Sequence, residues 1–535
     1  MKASQTDNNP LLEQVLPKYQ KAWYRVPHLL WLNLCISIPL LSNSCNGYDG
    51  SMLNGLQSLP RWQEYFGHPK GAILGALSNS YVLGSVVGFP FAAWANDKFG
   101  RRLTSIFGCV IIIIGSAIQS AAQNYAMFFV ARIIVGFGSI FCCVAGPLLV
   151  SECAYPSHRG VITAVFGPSW YAGAVIAAWV TYGAYWMPEG TDWSWRLPSL
   201  LQAAIPAFQL VFLPFIPESP RYLVSVGKTE EARAMLLKYH GGGDETVGGP
   251  LVDFEMAEIE ATLEYESHNK ETGYINFFKT KANLKRLFIC IWVSISSQLC
   301  GNGLVSYYLN LVLNSIGITE ASEQLVINGG LMIYNLGTAM IAGFVVGYLR
   351  RRLAFIGGLS FLLCTFVVWT AVSAVNQQTN FENESLGNTV LAMIFLFYAC
   401  YNLCLNALPT LYLTEVLPFY LRGKGINIYS TMNAVVNVYN GFVNPIAMEA
   451  IQWKYYIVFC CLIAVELIGI ILMFPETYGR TLEEAAAVFG DGMTAEAMVM
   501  SSQKPDQEFV EDVNNEKTFS STIIEEPDRQ TTNIK

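Results

Sequence analysis

Apolar residues fill twelve long runs in this chain, and polar residues gather between them. The runs cover roughly 29–57, 71–95, 103–122, 125–150, 161–186 and 198–216, then 286–314, 324–349, 353–375, 388–416, 424–448 and 454–474. Each can cross about 30 Å of hydrocarbon as a helix. The pattern predicts an all-α membrane protein with 12 transmembrane helices, numbered here as spans 1 to 12. A polar stretch, 217–285, parts spans 6 and 7. Within it, Glu230–Tyr239 and Leu251–Tyr265 carry apolar residues at helical spacing among many charges, which predicts short helices at the membrane surface. The chain thus divides into an N-terminal segment 1–28, a six-helix bundle 29–216, the loop 217–285, a second bundle 286–474 and a tail 475–535. Beyond about 490 the tail is rich in Asp, Glu, Ser, Thr and Asn and is expected to be disordered.

Composition agrees. The 535 residues are 53% hydrophobic and 13% charged, against about 25% charged in a soluble domain. All 13 Cys lie in or at the ends of apolar runs, and the five His are scattered. Neither a disulfide framework nor a metal site is expected. The first 28 residues are polar, with no cleavable signal peptide pattern. No constellation suggests an enzyme, and no cofactor or nucleic-acid partner is expected.

Orientation follows from the basic residues. With both termini cytoplasmic, 27 of the 32 Lys and Arg fall inside, four fall outside, and Arg132 lies within span 4. The positive-inside rule supports that placement. The sequon Asn383-Glu384-Ser385 then falls in an outer loop and marks Asn383 as a candidate glycan acceptor.

The chain also repeats itself. Glu152 is followed seven residues later by Arg159-Gly160, and Glu415 by Arg422-Gly423. Arg101-Arg102 has a counterpart in Arg350-Arg351-Arg352, and Pro217-Glu218 in Pro475-Glu476. Two related halves place a site at their interface near mid-membrane. The charges Asp97, Arg101, Glu152, Arg159, Glu218, Glu415, Arg422 and Glu476 map to cytoplasmic helix ends. Opposite charges there can pair between the bundles when an inner gate closes. Asp49 and Arg132 differ, because helical rise puts both at one depth inside the membrane, where they can pair.

Span 7 holds the most costly polar run: Ser297-Gln298-Leu299-Cys300-Gly301-Asn302-Gly303, then Ser306-Tyr307-Tyr308. Lipid offers amides no partner, so such a run implies a cavity entered by something polar.

These motifs resemble a known family. Asn96-Asp97-Lys98-Phe99-Gly100-Arg101-Arg102, Glu152 to Gly160, Trp195-Arg196-Leu197-Pro198, Pro217-Glu218-Ser219-Pro220-Arg221, the span 7 run, Glu415 to Gly423 and Pro475-Glu476-Thr477 to Glu484 stand in family order. Over roughly 29–485 the chain resembles the sugar porters of the major facilitator superfamily (MFS), the fungal hexose and lactose permease-like transporters among them. The resemblance implies the MFS fold of two pseudo-symmetric bundles. It also implies import of a sugar, a hexose or a disaccharide or glycoside, by alternating access. The implied protein is a multi-pass, monomeric carrier in the plasma membrane. An Asp at position 49 implies H⁺ symport: Asp49 takes up a proton when Arg132 moves away. Family sugar contacts map onto Gln298, Asn335, Asn433 and Asn437, with Tyr307 and Tyr308 as a lid. Asn302, Asn406 and Tyr412 stand near other binding positions. Ser297, Gly303, Gly167 and Thr410 depart from the family pattern, which favours a larger or less polar ligand. Two other readings stay open: a non-transporting sugar sensor, and a carrier of a polyol, a quinate-like acid or a secondary metabolite.

Overall fold

The computed structural model describes residues 23–479 except 189, 269–272, 380 and 382, together with 12, 15–17 and 489. The side chains of 265–268, 419 and 420 are also outside it. The expected disorder beyond 490 falls outside the described residues.

The fold is all-helical, and its helices follow the apolar runs. Spans 1 to 4 are Pro27–Ser58, Gly71–Phe99, Arg101–Ser120 and Tyr125–Cys153. Span 5 is a bent pair, Pro156–Phe166 and Ser169–Tyr185, with a 41° break. Span 6 runs from Trp193 to Phe215. Span 7 is also broken, into Lys281–Leu299 and Asn302–Asn314. Spans 8 and 9 are Ala321–Tyr348 and Arg351–Gln378, and span 10 is Glu384–Val416. The last apolar stretch, Leu421–Met473, is 53 residues long and holds two helices, Phe419–Ile451 and Tyr455–Met473. These are spans 11 and 12. A short turn with Gln452 at φ 48° separates them. The count of twelve therefore stands.

Between the bundles, helices Thr229–Tyr239 and Glu245–His268 occupy the two stretches predicted for 217–285. The second begins six residues before its predicted start at Leu251. They pack on the ends of spans 1 and 4 through Leu236, Tyr239, Leu251 and Val252, all buried beside Cys153 and Tyr155.

The repeated charges form two matching clusters on the face that carries most Lys and Arg, called here the basic face. In the first, Arg101 holds Glu152 through two hydrogen bonds of 2.9 and 3.2 Å, and Ser219 donates to the same carboxylate. Glu218 accepts the backbone N–H of Arg101 at 3.0 Å and of Arg102 at 3.2 Å, so it caps span 3. An acid at a helix N-terminus meets free N–H groups and the positive end of the dipole. Burial pushes the Glu218 carboxyl up, and these backbone bonds pull it back. In the second cluster, Arg351 holds Glu415 at 2.9 Å, Thr477 donates to Glu415 at 2.6 Å, and Glu476 accepts from Thr477 N–H at 3.2 Å. Arg102 and Arg352 each donate to carbonyls ending their own bundle, Ile216 at 3.0 Å and Ile471 at 2.8 Å. The pairing expected between the bundles is therefore not what Arg101, Glu152, Arg351 and Glu415 do here. Each pair lies within its own half. Asp97 is exposed, and Arg159 and Arg422 are half-buried at the same face.

Candidate functional site

Asp49 and Arg132 meet inside the N-terminal bundle. Arg132 donates from Nη1 to Oδ1 at 3.2 Å and from Nη2 to Oδ2 at 3.0 Å, a bidentate pair that is about 2% exposed on both sides. Gln202 of span 6 donates to Asp49 Oδ1 at 2.9 Å, and Arg132 Nε donates to the Leu77 carbonyl at 3.1 Å. Charge-assisted, planar contacts of this kind are the strong ones. Sequence depth foresaw the pair but not Gln202, whose signal was an amide inside an apolar run.

Gly50 follows Asp49. A Cβ there would lie 3.1 Å from the Trp170 ring and 3.5 Å from the Tyr307 ring. The ion pair is thus separated from span 7 by one residue and an aromatic wall.

Span 7 breaks after Leu299. Gly301 has φ 98°, a left-handed conformation that favours glycine. A Cβ at Gly301 would overlap the Phe366 ring of span 9. The helix restarts at Asn302, so its register is reset. This is the break that Asn302 needs in order to stand in for an amide one place later. Asn302 Oδ1 accepts from Ser306 at 3.0 Å, and the Ser306 hydroxyl bonds to that of Tyr398 at 2.8 Å. Gly303 leaves no empty space, contrary to expectation. Asn440 of span 11 lies 3.2 Å from where its Cβ would be and donates to the Gln298 carbonyl at 2.7 Å. Asn440 fills the place of the missing side chain.

A second kink follows. Tyr308 leaves helical geometry at φ −139°, ψ 34°. The backbone around it is taken up by span 1: Asn54 Oδ1 accepts Leu309 N–H at 3.0 Å, and Gln57 Nε2 donates to the Tyr307 carbonyl at 2.9 Å. Asn54 also donates to Asn328 of span 8 at 3.3 Å, and Asn79 of span 2 to the Val438 carbonyl of span 11 at 3.1 Å. Tyr171 of span 5 donates to Asn402 of span 10 at 2.8 Å, and Asn402 donates to Thr338 of span 8 at 2.9 Å. These cross-bundle bonds lie at mid-depth or toward the face opposite the basic one. The bundles are sealed together there.

The predicted contact residues fall into two groups. Gln298, Asn302, Tyr307, Asn433 and Asn437 are half-buried around the span 7 break. Tyr307 lies beside Asn437, and Tyr429 lies beside Asn433 and Ser297. Asn335 is fully buried, and neither end of its amide has a partner among the described residues. It is seven residues from Asn328 on span 8, so both share the face turned to the first bundle. Asn433 and Asn440 likewise leave their Oδ1 atoms unpartnered. Asn406 is exposed and donates to Asn402 at 3.1 Å.

Two tyrosines are fully buried. Tyr412 is buried inside the second bundle, stacked on Phe474 at 5.1 Å and donating to the Pro475 carbonyl at 3.0 Å. It is a structural residue near the basic face, not a ligand contact. The cause is a π-helical turn over Asn402–Asn406, which adds a residue to the helix and rotates everything after it. Tyr308 is buried too and donates to the Gly441 carbonyl at 2.6 Å, which braces span 7 against span 11. Tyr307 and Tyr308 both stand at the interface: Tyr307 lies beside Asn437, and the Tyr308 hydroxyl lies beside Ser78 of span 2 in the first bundle.

In span 5, Pro168 interrupts the helix and Asn43 donates to the carbonyls of Phe166 at 2.8 Å and Gly167 at 3.1 Å. A Cβ at Gly167 would meet nothing within 4 Å.

Residues 34–489 match the model of the family described as "Sugar (and other) transporter". The chain belongs to that family. Its members are carriers, not enzymes. Among curated relatives, the high-affinity glucose transporter of Kluyveromyces lactis is 28% identical over 89% of this chain and 89% of its own. The MFS-type transporter criB of Aspergillus cristatus is 26% identical over 86% of this chain and 94% of its own. Among solved structures, the inward-open xylose transporter XylE of E. coli superposes with a TM-score of 0.70 at 20% identity, over 85% of this chain and 99% of that one. The proton:xylose symporter XylE with a bound bromo-deoxyglucose gives 0.68 at 22%, over 86% and 99%. These structures share the MFS fold. The protein is thus a multi-pass membrane transporter of the sugar transporter family.

Proposed function

We propose that this transporter imports a sugar by alternating access and couples it to H⁺ symport through Asp49 and Arg132. The observation that carries the reading is the set of unpaired amides around a broken helix beside a buried ion pair. Sugar hydroxyls need donors and acceptors that the protein has not already paired. Asn335 offers both ends of an amide, and Asn433 and Asn440 each offer an oxygen. Trp170 and Tyr307 offer flat faces for the apolar side of a ring. The glucose transporter relative and the xylose symporter fold support a sugar ligand.

With the basic face in the cytoplasm, the cross-bundle hydrogen bonds toward the opposite face support an inward-facing reading of this conformation, in which spans 5 and 8 still touch near the basic face at Ala164 and Gly343. Both termini are then cytoplasmic, the membrane is the plasma membrane, and the carrier acts as a monomer. Asp49 loads its proton in the outward-facing state, where Arg132 has withdrawn. The test is uptake of labelled hexoses, pentoses and disaccharides into vesicles holding the purified protein, with and without a pH gradient. Flux that a protonophore abolishes is expected. No flux would make the protein a sensor, and flux indifferent to protonophore a facilitator.

A second reading, carriage of a larger secondary metabolite, is favoured by the open space at Gly167. The same panel separates it, because such a carrier would ignore every sugar.

A further inference from the structure

Span 12 carries one acidic residue, Glu466, and it is buried near mid-membrane. It is 2% exposed, and both of its carboxyl oxygens lack a hydrogen-bond partner among the described residues. Acidic side chains are rare in such positions, and they mark ion or proton pathways. An ionised carboxylate without partners would be an uncompensated buried charge, so the neutral acid is the form this site accommodates.

Its surroundings connect it to the broken helix. Span 12 packs against spans 9 and 7. Trp292 of span 7 donates to the Glu466 backbone carbonyl at 3.2 Å, and the same ring lies against Gly469, where a Cβ would overlap it. Trp292, Ser296 and Cys300 stand four residues apart, on one stripe of span 7. The Ser296 hydroxyl is buried and also unpartnered. Cys300 ends that stripe at the break, near Glu466. Phe366 of span 9 closes over Gly301 from the other side. Of the charged groups on the packing elements, Arg351 of span 9 holds Glu415, Lys285 and Arg286 at the start of span 7 lie over Phe489, and Cys290, Cys364, Cys460 and Cys461 are free thiols. Arg352 of span 9 donates to the Ile471 carbonyl, five residues on, and Tyr429 of span 11 lies beside Asn433 and Ser297.

We propose that Glu466 is a second proton-binding carboxyl of the transport cycle, exchanging its proton as span 7 re-bends at Gly301. This rests on the proton-coupled reading above. The step is a plain ionisation, with the carboxylic acid releasing H⁺ to water and recovering it. In the conformation described, Glu466 is buried against span 7, and the acid keeps its proton. When the second half of span 7 moves against the first, the stripe of Ser296 and Cys300 shifts, and water or a hydroxyl donor can reach the carboxylate. Asp49 would then serve the first bundle and Glu466 the second.

Infrared difference spectroscopy of the purified full chain, titrated with acid and base and without substrate, tests proton binding directly. The expected result is a protonated-carboxyl C=O band, absent in Glu466→Gln, that disappears reversibly as pH rises. Gln is the neutral isostere, so this variant should fold. If it does not, Glu466→Asp assigns the band by shifting it. No such band in the wild type, or a band that persists at every pH at which the protein stays folded, overturns the proposal. In vesicles, Glu466→Gln is expected to lose accumulation driven by a pH gradient. Wild-type accumulation in that variant would overturn the role in coupling. Absence of all flux in the wild type would instead overturn the transport reading, and the infrared titration would still decide whether Glu466 exchanges a proton.

Discussion

Asp49 and Arg132 hold each other through two hydrogen bonds, with Gln202 and the Leu77 carbonyl completing the set. Removing one partner leaves the other buried and uncompensated, which costs roughly 3–5 kcal/mol. Arg132→Ala is therefore expected to lower the melting temperature of the purified protein markedly, and an unchanged melt would show that the pair is not a buried unit. Asp49→Asn leaves Arg132 uncompensated and should also lower the melting temperature, though less than Arg132→Ala because its Oδ1 can still accept from Arg132 and Gln202; uphill uptake should be lost while downhill exchange persists. Asn335 behaves in the opposite sense. Its amide is buried without partners, and such a group costs stability rather than supplying it. Asn335→Leu is expected to raise the melting temperature and to weaken ligand affinity about tenfold, the effect of losing about 1.4 kcal/mol. A lower melting temperature would mean that the amide has a structural partner. At this scale the sequence was partly legible. Depth along two helices was enough to pair Asp49 with Arg132, because rise per residue is fixed. Direction around the axis was not, and Tyr412 was misjudged for that reason.

Helix breaks set the direction of both Tyr412 and Tyr308. The π turn at Asn402–Asn406 rotates Tyr412 into its own bundle, and the kink at Tyr308 turns that ring toward Gly441. No hydropathy pattern reveals a one-residue rotation, since both faces of these spans are apolar or nearly so. The break at Gly301 was legible, because two glycines flank an asparagine in a run of polar residues. The bend of span 5 at Pro168 was not read from the apolar pattern, and Asn43 answers it from span 1. These breaks carry a mechanical prediction. Gly301→Ala places a Cβ into the Phe366 ring and onto a left-handed backbone, a strain of order 1–3 kcal/mol. Transport should fall, and Phe366→Leu in the same chain should restore part of it by removing the overlap. Failure of the second substitution to restore anything would place the whole effect in the backbone conformation.

At the scale of the molecule, the two halves repeat one device: an Arg on one span grips a Glu on another, while an acid from the end of the bundle caps the helix beginning with that Arg. The repeat was legible as spacing, with Arg101, Glu152 and Glu218 echoed by Arg351, Glu415 and Glu476. What spacing could not say is whether the charges pair within a bundle or between bundles, because that depends on the conformation. In this one they tie each bundle into a rigid body. The bundles then meet through neutral contacts on the opposite face, and those contacts should set the balance between states. Gly75 of span 2 is a close point at which to test this. A Cβ there would come within 2.8 Å of the Gly441 carbonyl and 3.3 Å of the Pro445 ring on span 11. Gly75→Leu inserts a wedge between spans 2 and 11 without touching Asp49, Arg132 or the amides of spans 7 and 8. An equilibrium between two states moves only by the difference in how each accommodates a change. The closed opposite face cannot take a leucine, whereas a face that opens there can. The population should therefore shift toward the outward-facing state, and a cysteine placed at Asn79 should react faster with a membrane-impermeant thiol reagent added to the outside. An unchanged labelling rate would mean that the contact between spans 2 and 11 does not close the pathway, and that the seal rests on Asn54, Gln57 and the kink of span 7 alone.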